Sequence, residues 1–282
     1  MGFDSKTEVL VRGVGFTPIA NVREGTQIAC MCPDSLQFEW GYPCGLSKED
    51  VGEVCVMDGP NTSVVCSVTQ PILTYCGGET WKCSTDLSFA QVLHGCEWGG
   101  LDSDTFKFGT HTLETAPFLT IIAAYLKGGE LGEDRITLID VDEKVMESVR
   151  QTGLDFEIIG DYLDIKLPNV LRWFFRLFGE GDDERIFTKL KRLKTEYLPL
   201  LWRPFVDCVV KNRRLLSDLV EIVIKSGYTP KVVSNRLFVE NRMASKCEID
   251  LEERDTTLYD LDVKSGAVLI ERNGNFTWIY TR

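Results

Sequence analysis

Cysteine and histidine are the side chains of this sequence that could bind a metal ion or act as nucleophiles. The chain has ten cysteines, eight of them before residue 97, and two histidines, His94 and His111. No Cys-x-x-Cys pair occurs, although closely spaced ligand pairs are typical of zinc sites. The spacing therefore favours reduced, mostly buried thiols and structural histidines, with a zinc site as the alternative.

One sequence pattern occurs twice, over 142–167 and 216–241, and we expect it to form part of the scaffold that positions a functional site. Each copy has the spacing of an amphipathic helix, a glycine at its end, and two β-rich runs across a polar turn. The glycines and turns are Gly153 with Gly160-Asp161 in the first copy, and Gly227 with Ser234-Asn235 in the second. Two copies predict a pseudo-two-fold domain of αββ halves.

The segments around the two copies complete the predicted architecture. A strongly apolar helix is predicted ahead of each copy, over 116–128 and 197–210. Both chain ends consist of short β-rich runs separated by Gly, Pro, Asn and Asp, and Asn273-Gly274 is a strong hairpin signal. A β region interrupted by an α/β segment predicts that the two ends form one β domain.

Length and composition indicate a folded protein. The chain has 282 residues, of which 44% are hydrophobic, enough for one large or two moderate domains. No apolar run approaches the length of a membrane span, and the first residues lack a signal-peptide pattern. We therefore expect a soluble intracellular monomer, in the cytoplasm or nucleus, without a membrane partner.

Charge is unevenly distributed along the chain. The net charge is -12, yet residues 112–250 carry 21 basic against 23 acidic residues, while the two flanks carry 10 against 20. This difference predicts a domain boundary near each end of the repeat region. It also argues against strong nucleic-acid binding, since such domains usually present a basic face.

Three segments resemble the Hint superfamily, which comprises inteins and Hedgehog-type autoprocessing domains. The opening FDSKTEVLVRGVGFTPIANVREGTQI resembles the first conserved block, SVVCSVTQPILT the T-x-x-H block, and LYDLDVKSGAVLIERNGNF the last blocks. The repeat region resembles a LAGLIDADG homing endonuclease inserted in an intein. The resemblance implies an α+β fold, with an all-β Hint-type domain from residues 1–111 and 251–282 and an inserted LAGLIDADG-like domain over 112–250.

The resemblance places the splicing chemistry on residues that cannot perform it. Gly2 stands where a nucleophilic side chain would form a (thio)ester. Ser67 and Gln70 stand at the Thr and His of the T-x-x-H motif, and glutamine does not titrate. Asp260 matches an acidic position of the Y-D-L block. Ala267, or the glycine before it, occupies the place of a second histidine.

The endonuclease motifs are altered in the same way. The acidic residue that would end each apolar helix and hold a divalent metal is replaced by Gly128 and Val209. Asp207 lies one turn before the second position, and it and Glu130 are the carboxylates that could substitute. No cofactor is therefore expected, with Mg²⁺ required only if the endonuclease is active.

Double-stranded DNA, bound weakly, is the partner that the resemblance implies, beside an unknown protein partner. The candidate DNA-binding residues are basic side chains: Lys189, Lys191, Arg192, Lys194, Arg213, Arg214, Lys231 and Arg236. The corresponding strands of the first copy carry four acidic residues, which would repel phosphate. A solvated surface of charged helices is the alternative for this set.

The leading functional hypothesis is an intein-derived protein that has lost both activities, or a splice-blocked form of one, which favours a protein that is not an enzyme and leaves self-splicing or DNA cleavage as the activities if it is one. One alternative is an active intein or homing endonuclease with atypical residues. The other is a DNA-binding regulator that uses the LAGLIDADG-like saddle.

Overall fold

A computed structural model describes residues 2–76, 79–83, 87–210 and 212–281. The chain forms a mixed, mostly β structure that divides into two compact units. The first unit comprises residues 1–98 and 223–282, and the second comprises residues 99–222.

Twenty strands and five α-helices are present in the described part of the chain. The strands are β1 (Glu8–Val11), β2 (Gly15–Pro18), β3 (Ile28–Met31), β4 (Phe38–Gly41), β5 (Pro43–Gly59), β6 (Thr62–Cys66), β7 (Ile72–Cys76), β8 (Glu79–Cys83), β9 (Phe89–Leu93), β10 (Thr105–Phe108), β11 (His111–Glu114), β12 (Glu130–Leu131), β13 (Arg135–Ile139), β14 (Phe156–Ile159), β15 (Tyr162–Lys166), β16 (Thr229–Val233), β17 (Arg236–Glu240), β18 (Ala244–Val263), β19 (Ala267–Arg272) and β20 (Asn275–Tyr280). The helices are α1 (Thr115–Gly128), α2 (Glu143–Thr152), α3 (Asn169–Arg176), α4 (Leu198–Trp202) and α5 (Arg213–Lys225).

The first unit contains two curled antiparallel sheets. One has eight strands, in the order β17-β16-β20-β19-β1-β3-β4 with β2 beside β1, and the other has the order β6-β5-β18-β9-β7-β8. One hydrophobic core joins apolar side chains of both sheets, such as Val9 and Ile270 from the first and Met57 and Val92 from the second. The strands from both chain ends thus share one core, which places residue 2 and residue 280 in the same unit.

The local structure of the repeated pattern is confirmed in both copies. Helix α2 ends at Gly153 with a φ of 65°, followed by the hairpin β14–β15. Helix α5 precedes the hairpin β16–β17, whose turn residues Ser234 and Asn235 have φ of 50° and 59°. Both the helix end at Gly153 and the turn at Asn235 use left-handed backbone, which Gly and Asn adopt at low cost.

The two copies belong to different sheets, so the inserted pseudo-two-fold domain is not confirmed. β14 and β15 lie in a four-stranded sheet of the second unit, in the order β12-β13-β15-β14. β16 instead pairs with β20 at the edge of the eight-stranded sheet, with Lys231 opposite Asn275. The domain division predicted above, with residues 112–250 as one inserted domain, stays a prediction.

The two predicted apolar helices differ in outcome. The first is confirmed as α1, and ten of its residues are buried. The second was predicted over 197–210, but α4 has only five residues and continues as a 3₁₀ turn over Arg203–Phe205. Pro204 lacks the N–H that an α-helix requires, and Asp207 has a φ of 59°. The prediction of a long second helix was therefore wrong.

Candidate functional site

The Gln70 side chain joins the two ends of the described chain. Its Oε1 accepts a hydrogen bond from the Gly2 N–H at 3.1 Å, and its Nε2 donates to the carbonyl of Tyr280 at 2.5 Å. Gln70 is 2% exposed, so both bonds lie in a region from which water is largely excluded. A buried amide with both ends satisfied fixes the two partners strongly, since breaking either bond would leave a buried polar group unpaired.

A tight turn after β6 holds Gln70 in place. The Gln70 N–H donates to the Ser67 carbonyl at 2.9 Å, and the Ser67 hydroxyl accepts the N–H of Thr69 at 3.2 Å. The Ser67 N–H donates to the Gly2 carbonyl at 2.9 Å. Ser67 therefore orders the turn with its side chain and holds Gly2 with its backbone.

Backbone pairing fixes the first residues beside the Asp260 segment. Phe3 and Tyr259 exchange two hydrogen bonds, of 3.0 Å and 2.8 Å, and the Asp4 N–H donates to Val65 at 3.1 Å. Phe3 is 1% exposed and belongs to the core. The structure thus brings Gly2 close to the backbone of residues 259 and 260.

We call the place where Gly2 meets Gln70 and the backbone of residues 259 and 260 the junction. Asp260 is a titratable group there. Burial raises the pKa of its carboxyl above the ordinary value, and Oδ1 accepts the N–H of Leu261 at 3.0 Å. Gly2 and Gln70 have no titratable side chain. Of these three residues, Asp260 alone has a carboxyl group that can exchange a proton.

Cys66 directly precedes Ser67 in the chain and carries a thiol. Cys66 forms an isolated bridge with Phe3 and is fully buried. A hydrogen bond with Cys55, together with burial, raises its pKa well above that of an ordinary thiol. Since the thiolate is the reactive form, this cysteine is unreactive at neutral pH.

Gly2 has a backbone conformation that favours glycine. Its φ is 156°, and a Cβ added there would lie 3.0 Å from the carbonyl carbon of Tyr259 and 3.2 Å from the Asp260 nitrogen. Both neighbours are backbone atoms of paired strands and cannot move independently. A nucleophilic side chain at this position therefore requires a shift of the backbone.

We expect Gly2→Ala to destabilise the first unit by about 1–3 kcal/mol, because it adds both backbone strain and a close contact. Gly13→Ala is the matched control, since Gly13 has a φ of 75° but nothing within 4 Å of an added Cβ. Urea unfolding, followed by tryptophan fluorescence, measures the free energy of unfolding of both variants. Equal losses in the two variants would show that the contact with Tyr259 and Asp260 is unimportant.

A buried ion pair supports the junction, and sequence reasoning missed it. The Arg272 guanidinium donates to both carboxylate oxygens of Asp4, from Nη2 at 2.9 Å and from Nε at 3.1 Å and 3.2 Å. Its Nη1 donates to Ser63, and the Thr7 hydroxyl donates to Asp4. Asp4 and Arg272 are 6% and 8% exposed. The pair connects the start of the chain to the β19–β20 hairpin, 268 residues away.

His94 is structural, as the sequence predicted. Its Nδ1 donates to the carbonyl of Phe276 at 2.6 Å, so its Nε2 accepts the Ser245 hydroxyl at 2.7 Å. Burial lowers the pKa of His94 from 6.5 to about 4. The imidazole is therefore neutral at physiological pH.

We expect His94 to make the first unit less stable in mild acid. The unfolded chain binds a proton at His94 near pH 6.5, whereas the folded chain binds it only near pH 4. The stability contribution is complete above pH 6.5 and decreases by about 3 kcal/mol as the pH falls to about 4. Comparing unfolding of wild type and His94→Gln across this range isolates the effect. The control His111→Gln changes an exposed histidine. If the free energy of unfolding depends on pH in the same way in all three proteins, His94 is not the group responsible.

The structure places two of the three predicted endonuclease positions in one cleft of the second unit. Gly128 ends α1, and both Gly128 and Val209 line the cleft. Asp207 is exposed and does not line it. Among the described residues no three His, Cys, Asp or Glu side chains converge to hold a metal ion.

The candidate DNA-binding residues do not form one free basic surface. Lys191 is 4% exposed and pairs with Asp218 and Glu221, so its assignment to DNA was wrong. Lys194 pairs with Asp102, and Arg214 with Asp183. Lys231 donates to a backbone carbonyl, and the exposed members of the set are Lys189, Arg192, Arg213, Arg214 and Arg236. Lys231 and Arg236 belong to the first unit and the others to the second.

The described cysteines are free thiols, and five of them are buried: Cys30, Cys55, Cys66, Cys96 and Cys247. The side chains of Cys76 and Cys83 lie outside the described part of the chain. Among the described helices, none has the length and apolar character of a membrane span.

Comparison with known proteins gives structural matches only. The sequence matches no protein-family profile and no curated protein. One similar solved structure is a GSH-linked, splice-inactive variant of the AceL NrdHF class 3 split intein, with 9% identity and a TM-score of 0.41 over 100% of this chain and 98% of that one. A second is the bacterial intein-like domain from Clostridium thermocellum, with 8% identity and a TM-score of 0.34 over 99% of this chain and 97% of that one. A third is the Mvu mini-intein of transcription factor IIB, with 9% identity and a TM-score of 0.37 over 98% of each chain. Likeness at this level assigns no activity and no residue role to this chain.

Proposed function

We propose that this chain is an intein-derived, Hint-type domain that holds its two flanking segments together without splicing them. One observation carries the proposal. Buried Gln70 bonds the Gly2 N–H on one side and the Tyr280 carbonyl on the other. The domain therefore acts as a clamp on two distant points of a polypeptide.

The absence of reaction follows from the groups at the junction. An acyl shift needs a nucleophile beside the upstream carbonyl and an acid to protonate the departing nitrogen. Gly2 supplies no nucleophile, and Gln70 can hold the Gly2 nitrogen but cannot protonate it. Asp260, whose pKa burial raises, could donate a proton, but without a nucleophile at position 2 no nitrogen departs to receive it.

Mass spectrometry of the chain, with a short reporter peptide fused at each end, tests the missing chemistry. We expect the unaltered protein to keep its full mass on long incubation, with and without added thiol. Gly2→Cys is expected to remain intact too, because Gln70 does not titrate and the backbone at position 2 resists a side chain. Ligated or cleaved reporters from the unaltered chain would overturn the proposal in favour of an active intein with atypical residues.

Energy transfer between fluorophores on the two reporters tests the clamp. We expect high transfer in the folded protein and reduced transfer in Gln70→Ala, which loses both bonds. The control Gln151→Ala removes an exposed glutamine of the second unit. Low transfer in folded wild type, or no difference between the two variants, would contradict the clamp.

We also propose that the second unit derives from an inserted LAGLIDADG-type endonuclease that no longer cleaves DNA. The proposal is supported by the αββ copy over 142–167, which lies in this unit, and by Gly128 and Val209, which line one cleft and carry no carboxylate. Plasmid nicking with Mg²⁺ is expected to be undetectable. Metal-dependent nicking would refute this, and salt-sensitive binding without nicking would favour a DNA-binding regulator.

A further inference from the structure

Strand β14 (Phe156–Ile159) lies at one edge of the four-stranded sheet in the second unit. It pairs with β15 on one side, and no strand in the described part of the chain pairs with its other side. A free edge presents backbone N–H and C=O groups that can bind a further strand. We call this side of the strand the β14 edge. It is a position at which a segment of another chain could extend the sheet.

Two residues, Phe156 and Ile158, direct their backbone groups to the β14 edge. The Asp155 carbonyl accepts the Lys166 N–H at 2.9 Å, so residue 155 bonds inward to β15. Hydrogen bonding alternates along an antiparallel pair, and the odd-numbered residues that follow therefore bond inward too, whereas Phe156 and Ile158 do not. No described residue hydrogen-bonds the backbone of these two. The edge thus offers two donors and two acceptors at the spacing of a β-strand.

Apolar side chains surround the β14 edge on both faces of the sheet. Phe156 and Ile158 are 38% and 59% exposed on one face, although the residues opposite them on β15 are buried. On the other face Ile159, Tyr162 and Ile139 form a row across three strands, and all three are exposed. A group of exposed apolar side chains, unlike a single one, indicates an interaction site.

The β14 edge also carries negative charge. Glu157 and Asp155 alternate with Phe156, so both lie on the face of the Ile159 row. No described residue forms a hydrogen bond or ion pair with either carboxylate. Asp164, opposite Glu157 on β15, already pairs with Arg135. A strand added at this edge would therefore be stabilised by basic side chains opposite residues 155 and 157.

A second copy of this chain does not have those basic residues. Two β14 strands related by a two-fold axis place Glu157 opposite its own counterpart when the register centres on residue 157. When the register centres on Ile158, Glu157 lies opposite Ile159 and Asp155 opposite Asp161. Like charges directly opposite each other are destabilising. The charges of the strand therefore favour a different protein over a second copy.

We propose that the β14 edge binds an extended segment of another protein, in which apolar and basic residues alternate. The segment adds as an antiparallel fifth strand, with apolar residues opposite Phe156 and Ile158 and Lys or Arg opposite Glu157 and Asp155. A further apolar residue extends the exposed row at Ile159. This site is independent of the junction and of any binding to DNA.

Fluorescence anisotropy of the full chain with a labelled Val-Val-Lys-Val-Lys peptide tests the proposal. In the antiparallel register, the first residue lies opposite Ile159 and the last opposite Asp155. We expect saturable binding, and at least tenfold weaker binding of Val-Val-Glu-Val-Glu. Glu157→Lys should weaken binding of the lysine peptide about fivefold and strengthen binding of the glutamate peptide. The control Glu196→Lys changes an exposed carboxylate outside the sheet and should bind both peptides as wild type does.

Amide hydrogen exchange of the wild-type protein keeps the test valid if a variant fails to fold. Saturation with the lysine peptide should slow exchange at Phe156 and Ile158 at least tenfold, with little change at Glu157 and Ile159, which already bond to β15. A peptide with N-methylvaline at its second and fourth positions lacks the two N–H donors that face the edge, and should bind at least tenfold more weakly.

Three outcomes would overturn the proposal. The glutamate peptide might bind wild type as tightly as the lysine peptide, or exchange at Phe156 and Ile158 might not change. Finally, the same two amides could be protected without peptide, in a dimer whose population rises with protein concentration. That result would assign the β14 edge to a second copy of this chain.

Discussion

Arg272→Met is expected to lower the free energy of unfolding of the first unit by about 3–5 kcal/mol, because it leaves the buried Asp4 carboxylate without its cation. Asp4 is 6% exposed and would keep only the Thr7 hydroxyl among the side-chain bonds the structure shows. Methionine conserves the length of the arginine stem, so the loss reports the missing charge and hydrogen bonds more than a cavity. Urea unfolding measures this loss of free energy in the first unit, where the buried Trp278 contributes to the fluorescence signal.

Two further variants separate the ion pair from its neighbours. Arg150→Met removes an exposed arginine that pairs with Glu143, and should cost less than about 1 kcal/mol. Asp4→Asn combined with Arg272→Met removes both charges and should recover part of the loss, since no unpaired buried charge remains. If Arg272→Met and Arg150→Met cost the same, the Asp4–Arg272 pair does not stabilise the start of the chain.

The Arg272 result bears directly on the junction. Asp4 lies two residues after Gly2, and its N–H donates to Val65 in β6, just before the turn that holds Gln70. The ion pair therefore fixes the chain at the point where Gly2 meets Gln70. We infer that loss of Arg272 would also reduce energy transfer between the two flanking reporters.

Local structure could be predicted from the sequence because it depends on neighbouring residues. The glycine at the end of α2, the Ser234-Asn235 turn and the Asn273-Gly274 hairpin follow from backbone preferences within a few positions. The assignment of hairpin β16–β17 to the eight-stranded sheet could not be predicted. It depends on the pairing of Lys231 with Asn275, which no local pattern specifies.

The same distinction applies to the candidate site. Gly2, Ser67 and Gln70 were identified from a motif resemblance, and the structure brings all three together. The Asp4–Arg272 pair was missed because two charged residues 268 positions apart carry no signal of contact. Lys191 was misassigned because its neighbours in sequence are basic, whereas its neighbours in space are acidic.

Lys191→Met is the second variant with a large expected effect. The Lys191 Nζ lies 2.6 Å from Asp218 and 2.7 Å from Glu221, and all three side chains are nearly inaccessible. Asp218 also accepts the N–H of Ile186 at 2.8 Å. Without the ammonium group, two carboxylates would remain close together in the core of the second unit. We expect a loss of about 3–5 kcal/mol near neutral pH, against less than about 1 kcal/mol for Lys189→Met, which changes an exposed lysine.

The pH dependence of this loss provides the stronger test. Burial already raises the pKa of Asp218 above its unfolded value despite the nearby Lys191, and removing that cation must raise it further. An acid whose folded pKa is raised stabilises the fold below its unfolded pKa, and this contribution is lost as the pH rises through the folded pKa. The difference between Lys191→Met and wild type should therefore be largest at about pH 8 and smaller at about pH 5. A loss that is equal at both pH values would show that Lys191 contributes through packing of its stem rather than through its charge.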